Sequence, residues 1–161
     1  MEELTMFVNF HGEGLVSHAS CRSALFCTAV ARDQGFKIRL VAVLDRPTAQ
    51  TKSTVTESGH EWDDILEYDS GDLGQVRRSA TEFCDTKLVG FLDGDDLFGS
   101  KWISNSMVVA LSQKDSNWVA HPQYAYYFHE NDYLSFHDRG FRPSDKQNFF
   151  LEHIPTTSDL F

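Results

Sequence analysis

The chain has 161 residues, of which 24 are acidic and 14 are Lys or Arg, so its formal net charge is −10. The length fits one domain, and the charge argues against nucleic acid as a partner, because that affinity begins with basic residues neutralising phosphates. The chain has no apolar run of about 18 residues and no basic, signal-like N-terminus. We therefore expect a cytoplasmic protein with no transmembrane segment.

The first part of the chain alternates strand-like and helix-like segments. Strands are predicted at residues 5–10, 38–44, 64–68 and 88–92. Helices are predicted at residues 15–33, from the break at 45–48 to about 58, at 75–84 and at about 101–113. In the first helix Leu15, Ala19, Phe26 and Val30 fall on one face, the pattern of a helix that buries that face.

Strands separated by helices indicate βαβ units with right-handed crossovers. The predicted fold class is therefore α/β: an open, mostly parallel sheet flanked by helices. Beyond residue 116 the aromatic-rich segments 118–129 and 133–137 predict a hairpin, and the sequence from residue 140 onward shows no usable periodicity.

Polar residues follow the predicted strands where each strand ends. His11 and Glu13 follow the first strand, Asp45 ends the second, and the run Asp-Gly-Asp-Asp at 93–96 ends the fourth. The exit of the third strand leads to a glycine-rich turn and then to Arg77. Because ligands of open α/β sheets bind beyond the carboxyl ends of the strands, we expect these side chains to converge.

The acidic run is the sharpest of these features. Asp93 and Asp95, separated by one residue on a loop that leaves a buried strand, can point into one small volume, where their charges repel each other. Mg²⁺ or Mn²⁺ would remove that repulsion and bridge to phosphate oxygens. Gly94 between them allows close approach of the backbone. The competing interpretation is a solvated acidic turn ahead of the next helix.

A family resemblance supports the metal interpretation. Residues 91–97, Phe-Leu-Asp-Gly-Asp-Asp-Leu, resemble the strand and DxD signature of the family-two inverting glycosyltransferases. Residues 71–78 are similar to that family's Gly-x-x-x-Arg-Asn segment, and residues 43–48 resemble its Asp-bearing second strand end. The resemblance covers roughly residues 5–111 and implies the GT-A fold, a Rossmann-like open mixed sheet.

The resemblance also implies a role for each matching position. Asp45 would bond the nucleobase, Arg77 would approach the base or the diphosphate, and Asp95 would ligate the metal. The implied donor-binding residues are Phe10, His11, Glu13, Asp45, Arg77 and Asp93, and the implied metal ligands are Asp93 and Asp95. The expected partners are a nucleotide-sugar, with UDP-sugar the family-level choice, an Mn²⁺ or Mg²⁺ cofactor, and an acceptor that the sequence does not identify.

We expect residues 1–161 to form one nucleotide-sugar-binding domain. In it, about 1–115 are the donor-binding core and about 116–161 are a partial acceptor-side region, as expected of a fragment or of a truncated relative. Family members take a catalytic base from a later carboxylate. No motif singles one out here, so the base stays unassigned among Glu130, Asp132, Asp138, Asp145 and Glu152.

The sequence has two further interpretations. A non-catalytic nucleotide-binding or scaffolding domain that lost turnover is the alternative to a glycosyltransferase. The seven histidines show no HExxH motif and no Cys/His spacing that would indicate zinc.

Overall fold

A computed structural model describes residues 3–57, 59–113, 119–122, 124–128, 134–138 and 150–154, with side chains through residue 120. The chain divides into two compact units, Met1–Ser100 and Lys101–Phe161. The first unit contains β1 (Leu4–Phe10), a 3₁₀ turn (Gly14–Val16), α1 (Ser17–Asp33), β2 (Ile38–Asp45), α2 (Ala49–Val55), β3 (Asp64–Tyr68), α3 (Leu73–Glu82) and β4 (Leu88–Asp93). The second contains α4 (Trp102–Ser112), β5 (Val119–Pro122), β6 (Tyr124–Phe128), β7 (Leu134–Asp138) and β8 (Phe150–Ile154).

The first unit is built on a four-stranded parallel sheet with the strand order β3-β2-β1-β4. This confirms the prediction of an α/β protein with a mostly parallel sheet flanked by helices, consistent with a Rossmann-like fold. All seven residues of β1 are buried, whereas β3 alternates between half-buried and exposed positions. The near-continuous apolar sequences of β1 and β2 follow from their central places, where both faces are covered.

One face of this sheet packs against α3. Phe7, Val41 and Val43 of the two central strands are fully buried, and they form a core cluster with Val76 and Ala80 of the helix. Complete burial of an aliphatic or aromatic side chain of this size stabilises a fold by about 1.5–3 kcal/mol. The cluster therefore fixes the position of α3 along the strands, and with it the position of every polar residue on that helix.

The buried face of α1 differs from the predicted one. Leu15 and Phe26 are 70% and 59% exposed, Ala19 is also exposed, and Val30 is only half-buried, so that prediction is wrong. Small residues are buried instead: Ser17, Ser20, Cys21, Ala24, Cys27, Thr28 and Ala31. Small side chains let a helix lie close to its neighbours. The helix therefore buries the face with the small residues, and its larger but fewer apolar residues stay exposed.

The second unit holds two strand pairs. β6 and β7 are antiparallel, which agrees with the predicted hairpin. Residues 119–122, however, were predicted to belong to the same strand as β6, and they form the separate strand β5. β5 pairs in parallel with β8, a strand that the sequence did not predict because its five residues carry no clear alternation. Of α4, the residues Ile103, Ser104, Met107 and Ala110 are buried.

Candidate functional site

The strand order creates a switch point in the sheet. From β1 the chain steps to β2 and β3 in one direction, and then returns through α3 to β4 on the other side of β1. In open parallel sheets the crevice for ligands lies at such a reversal, outside the carboxyl ends of the strands. The candidate site is therefore the edge formed by the ends of β1 and β4.

Arg77 and Asp93 meet at this edge. One terminal nitrogen of the Arg77 guanidinium donates to Oδ1 of Asp93 over 2.5 Å. Both side chains are more than a third exposed, at 36% and 41%, so solvent screens the pair and its contribution to stability is small. The geometry instead leaves a cation and an anion together at the carboxyl end of β4.

Aromatic packing orients the arginine. The guanidinium carbon of Arg77 lies 5.4 Å from the ring centre of Phe91, which itself stacks on Phe7 at 5.6 Å. Nε of Arg77 and Oδ1 of Asn9 are buried, and neither has a hydrogen-bond partner among the described residues. Unsatisfied buried polar atoms are rare in native proteins, and here two of them lie on residues beside the same strand ends.

Gly94 is enclosed by the end of β1. A Cβ atom at this position would lie 2.6 Å from Cδ1 of Phe10 and 2.8 Å from the carbonyl oxygen of Asn9. The same atom would come within 3.2 Å of the Glu13 carboxyl carbon. The backbone of the acidic loop therefore touches the loop after β1, and a side chain at position 94 would force them apart.

The rest of the acidic loop turns toward α1. The amide of Asp96 donates to the carbonyl of Asp93 over 2.9 Å, which leaves the Asp95 side chain exposed at the tip of the turn. Further on, the amide of Phe98 donates to Oγ of Ser23 over 3.3 Å. The loop is thus held at both ends, and Asp95 projects from its middle.

Asp45 has a structural task at the end of β2. Its carboxylate is 8% exposed and accepts hydrogen bonds from the backbone amides of Ser70 and Gly71, at 2.8–3.1 Å. Gly71 has a φ of +70°, a conformation that a residue with a side chain rarely adopts. Asp45 therefore fixes the turn that leads into α3. A carboxylate offers about four lone-pair sites, so capacity for one more donor remains.

His11 and Glu13 shape the loop after β1. The carboxylate of Glu13 accepts from the His11 amide at 2.8 and 3.0 Å. Nδ1 of His11 lies 2.5 Å from the carbonyl oxygen of Asp45, and because a carbonyl only accepts, Nδ1 is the protonated nitrogen. In the neutral ring Nε2 is then left as an acceptor, on a side chain that is exposed.

Two titratable groups, the buried Cys21 and the half-buried Tyr68, have raised pKa values. Burial raises the pKa of the Cys21 thiol to about 12, and the negative charge of Glu57 acts in the same direction. Burial, with a smaller effect of the Glu82 charge, also raises the pKa of Tyr68. Cys21 is therefore a neutral thiol at physiological pH and is not an activated nucleophile.

The edge of the sheet carries two carboxylates, the type of side chain that binds Mg²⁺ or Mn²⁺. Asp95 offers an exposed carboxylate, and Asp93 lies two residues away with one oxygen bonded to Arg77. Among the described residues, these two aspartates do not belong to a group of three side chains whose ligand atoms lie within 4.8 Å. Such ions are commonly held by one or two carboxylates, with phosphate oxygens and water completing the shell.

The structure thus brings the predicted residues together in two sets. Phe10, Glu13, Asp93 and the acidic loop meet at the β1–β4 edge, and His11 joins Asp45 at the end of β2. The two sets lie at the ends of neighbouring strands, and neighbouring strands of a sheet are about 5 Å apart. The five carboxylates considered as bases lie outside the residues whose side chains the structure describes.

Sequence reasoning missed two groups of residues. The glycine-rich turn was predicted, but the hydrogen bonds from the amides of Ser70 and Gly71 to the Asp45 carboxylate were not. His18, Glu57 and His60 form a cluster of potential ligands, for which the Glu-x-x-His spacing was the available signal.

Comparison with known proteins adds no family assignment, because no protein-family description and no curated protein matches the chain significantly. Within the described part of the chain, no helix is both long and apolar enough to cross a membrane. The class that the fold and site define is an α/β protein with an Arg77–Asp93 pair and an acidic loop at the switch point of its parallel sheet.

Proposed function

We propose that this chain is the donor-binding part of a GT-A glycosyltransferase, which binds a nucleotide-diphosphate-sugar together with Mn²⁺ or Mg²⁺ and transfers the sugar to an acceptor. The observation that carries the proposal is the pairing of Arg77 with Asp93 at the switch point, beside the exposed Asp95. The resemblance of residues 91–97 to the DxD strand of family-two enzymes supports the choice of ligand.

The residues of the crevice divide the binding task. Asp45 holds the turn before α3 and uses its remaining lone pair for a nucleobase N–H. The backbone from Phe10 to Glu13 lines the base pocket. Arg77 is positioned by Phe91 and directs its remaining guanidinium N–H groups at the diphosphate.

Asp95 and Asp93 would hold the divalent ion. When bound, the ion supplies Lewis-acid stabilisation of the negative charge that develops on the leaving diphosphate. Arg77 balances the charge of Asp93, so that this carboxylate and Asp95 can lie close together before a ligand arrives. UDP is the expected leaving group.

Calorimetric titration of UDP into the full chain, with and without Mn²⁺, tests the proposal. We expect binding that requires the metal and that Asp95→Asn weakens at least about tenfold, or about 1.4 kcal/mol. Asp85→Asn is the matched control, because Asp85 is exposed and lies ahead of β4 rather than after it. Equal affinity with and without Mn²⁺, or an unchanged Asp95→Asn variant, would refute the metal-dependent donor site.

The second candidate is a nucleotide-binding domain without turnover. It is favoured by the engagement of Glu13, Asp45 and Asp93 in hydrogen bonds to the protein itself, which leaves none of them as an evident base. Sugar transfer or hydrolysis from a UDP-sugar separates the two functions. Metal-dependent UDP binding without any turnover would favour the binding domain.

A further inference from the structure

A cluster of two histidines and one glutamate lies apart from the crevice. One ligand atom from each of His18, Glu57 and His60 comes within 4.8 Å of the other two. His18 stands in the first turn of α1, and the other two follow α2. Trp62, which neighbours His60 at 6.4 Å, contacts the ring of Phe10. Successive side chains of a strand point to opposite faces of the sheet, and Phe10 is three residues after Phe7. The Phe10 ring therefore lies on the face opposite to the one that packs against α3.

The fold itself brings these side chains together. The amide of His60 donates to the carbonyl of Glu57 over 3.2 Å, a tight turn that sets the two residues side by side. Nε1 of Trp62 donates to the carbonyl of Val55 over 2.9 Å and ties the segment back to the end of α2. The position of His60 is therefore fixed by neighbours that do not use its ring nitrogens.

Distances within the cluster suit a small metal ion. Nε2 of His18 lies 3.5 Å from an oxygen of Glu57. Ligands about 2.0–2.2 Å from a tetrahedral ion are separated by about 3.4 Å. The His18 nitrogen and the Glu57 oxygen already have about this separation. The rings of His18 and His60 are nearly perpendicular, with their centres 5.8 Å apart, and a small side-chain adjustment brings the third ligand in.

A simple ion pair between His18 and Glu57 explains less. Their side chains are 49% and 54% exposed, so such a pair contributes little stability. It also leaves Nδ1 of His60, which is buried and has no hydrogen-bond partner among the described residues. A metal ion bound by Nδ1 of that ring would give this buried atom a partner and would leave the ring proton on Nε2.

We propose that His18, Glu57 and His60 bind a divalent transition-metal ion, with Zn²⁺ the best match. Two imidazoles and a carboxylate are borderline ligands that favour Zn²⁺, Co²⁺ or Ni²⁺ over Mg²⁺ and Mn²⁺. Three protein ligands leave a fourth position for water or another ligand. The ion would also link α1 to the segment that follows α2. This site is independent of the proposed nucleotide-sugar site.

Titration of Zn²⁺ and Co²⁺ into the chelator-treated full chain tests the site. We expect one tightly bound ion, a visible Co²⁺ spectrum of four-coordinate intensity, and no displacement by excess Mg²⁺. His60→Ala and Glu57→Gln should each weaken binding by at least the roughly 10–100-fold seen when a supporting residue of a metal site is lost. Zn²⁺ should raise the Tm of the unaltered chain but not of the His60→Ala variant.

Glu61→Gln is the matched control, because Glu61 is an exposed carboxylate in the same segment and outside the cluster. It should bind Zn²⁺ as the unaltered chain does. Far-UV circular dichroism checks that the variants are folded. If His60→Ala unfolds, Glu57→Gln still tests the site, because it preserves the shape of a half-exposed side chain. Absence of saturable Zn²⁺ binding, or equal affinity in Glu57→Gln and Glu61→Gln, would overturn the proposal.

Discussion

The carboxylates at the strand ends differ in burial and in hydrogen bonding, although each appears in the sequence as an aspartate after a strand. Asp45 is nearly buried and accepts from two backbone amides, whereas Asp95 is exposed at the tip of its turn. Asp93 lies between these cases and pairs with Arg77. The sequence predicted that these acids belong to one edge of the sheet, but their division between structure and binding depends on loop contacts.

The structural task of Asp45 makes it sensitive to substitution. Asp45→Ala should lower the free energy of unfolding by about 1–3 kcal/mol, because the amides of Ser70 and Gly71 lose their acceptor in a partly buried turn. Urea denaturation measures the change. Asp69→Asn is the control: Asp69 is 89% exposed in its ion pair with Arg46, and its loss should cost less than about 1 kcal/mol. Equal effects of the two substitutions would contradict this role.

The Arg77–Asp93 pair lies where the sequence led us to expect polar side chains to converge. The sequence placed an arginine shortly after the third strand and an aspartate at the end of the fourth, and parallel strands bring those positions to one edge. The stacking of Arg77 over Phe91 could not be predicted, because it depends on the rotation of α3 about its own axis.

At the scale of elements, strands were easier to predict than helix faces. Each strand of the first unit begins and ends within one residue of its predicted bounds. For β1 and β2 the reason is that strands buried on both faces are nearly continuous apolar runs. The buried face of α1 was misjudged because Leu15 and Phe26 dominated the apolar pattern. Its real contact surface consists of small residues, including Cys21, Ala24 and Cys27, whose weak hydrophobic signal hides close packing.

The N-terminal cap of α3 connects an element to the site. Asp72 accepts from the amide of Gln75 over 2.9 Å, which satisfies an otherwise unpaired amide of the first turn. Asp72→Ala should therefore destabilise the fold by about 0.5–2 kcal/mol in urea denaturation, and Asp72→Ser should recover most of the loss. Glu82→Gln at the other end of the helix, in an exposed pair with Arg78, should change little. If Asp72→Ser is as unstable as Asp72→Ala, the cap does not explain the effect.

At the scale of the whole molecule, the sequence predicted the class of fold but not its topology. Alternating strands and helices indicated a parallel sheet, and the structure has one. The order β3-β2-β1-β4 depends on which side of β1 the fourth strand joins, and no local pattern records that choice. The switch point, and with it the location of the crevice, therefore required the structure.

Clusters assembled from distant segments are also hidden from the sequence. His18 and Glu57 are brought together by the packing of α1 against α2 and not by their spacing. β8 pairs with β5, about thirty residues earlier in the chain, for a similar reason. Both features arise from non-local contacts, which motif and periodicity arguments do not capture.

The proposed function requires that a divalent ion held at the tip of β4 binds a diphosphate. Paramagnetic broadening by Mn²⁺ tests it most directly, measured on the backbone amide signals of the labelled full chain in the presence of UDP. We predict that the amides of Gly94, Asp95 and Asp96 lose intensity first and that Asp95→Asn abolishes the effect. Unchanged signals at these three residues, or UDP-dependent broadening centred on His60 instead, would contradict the account.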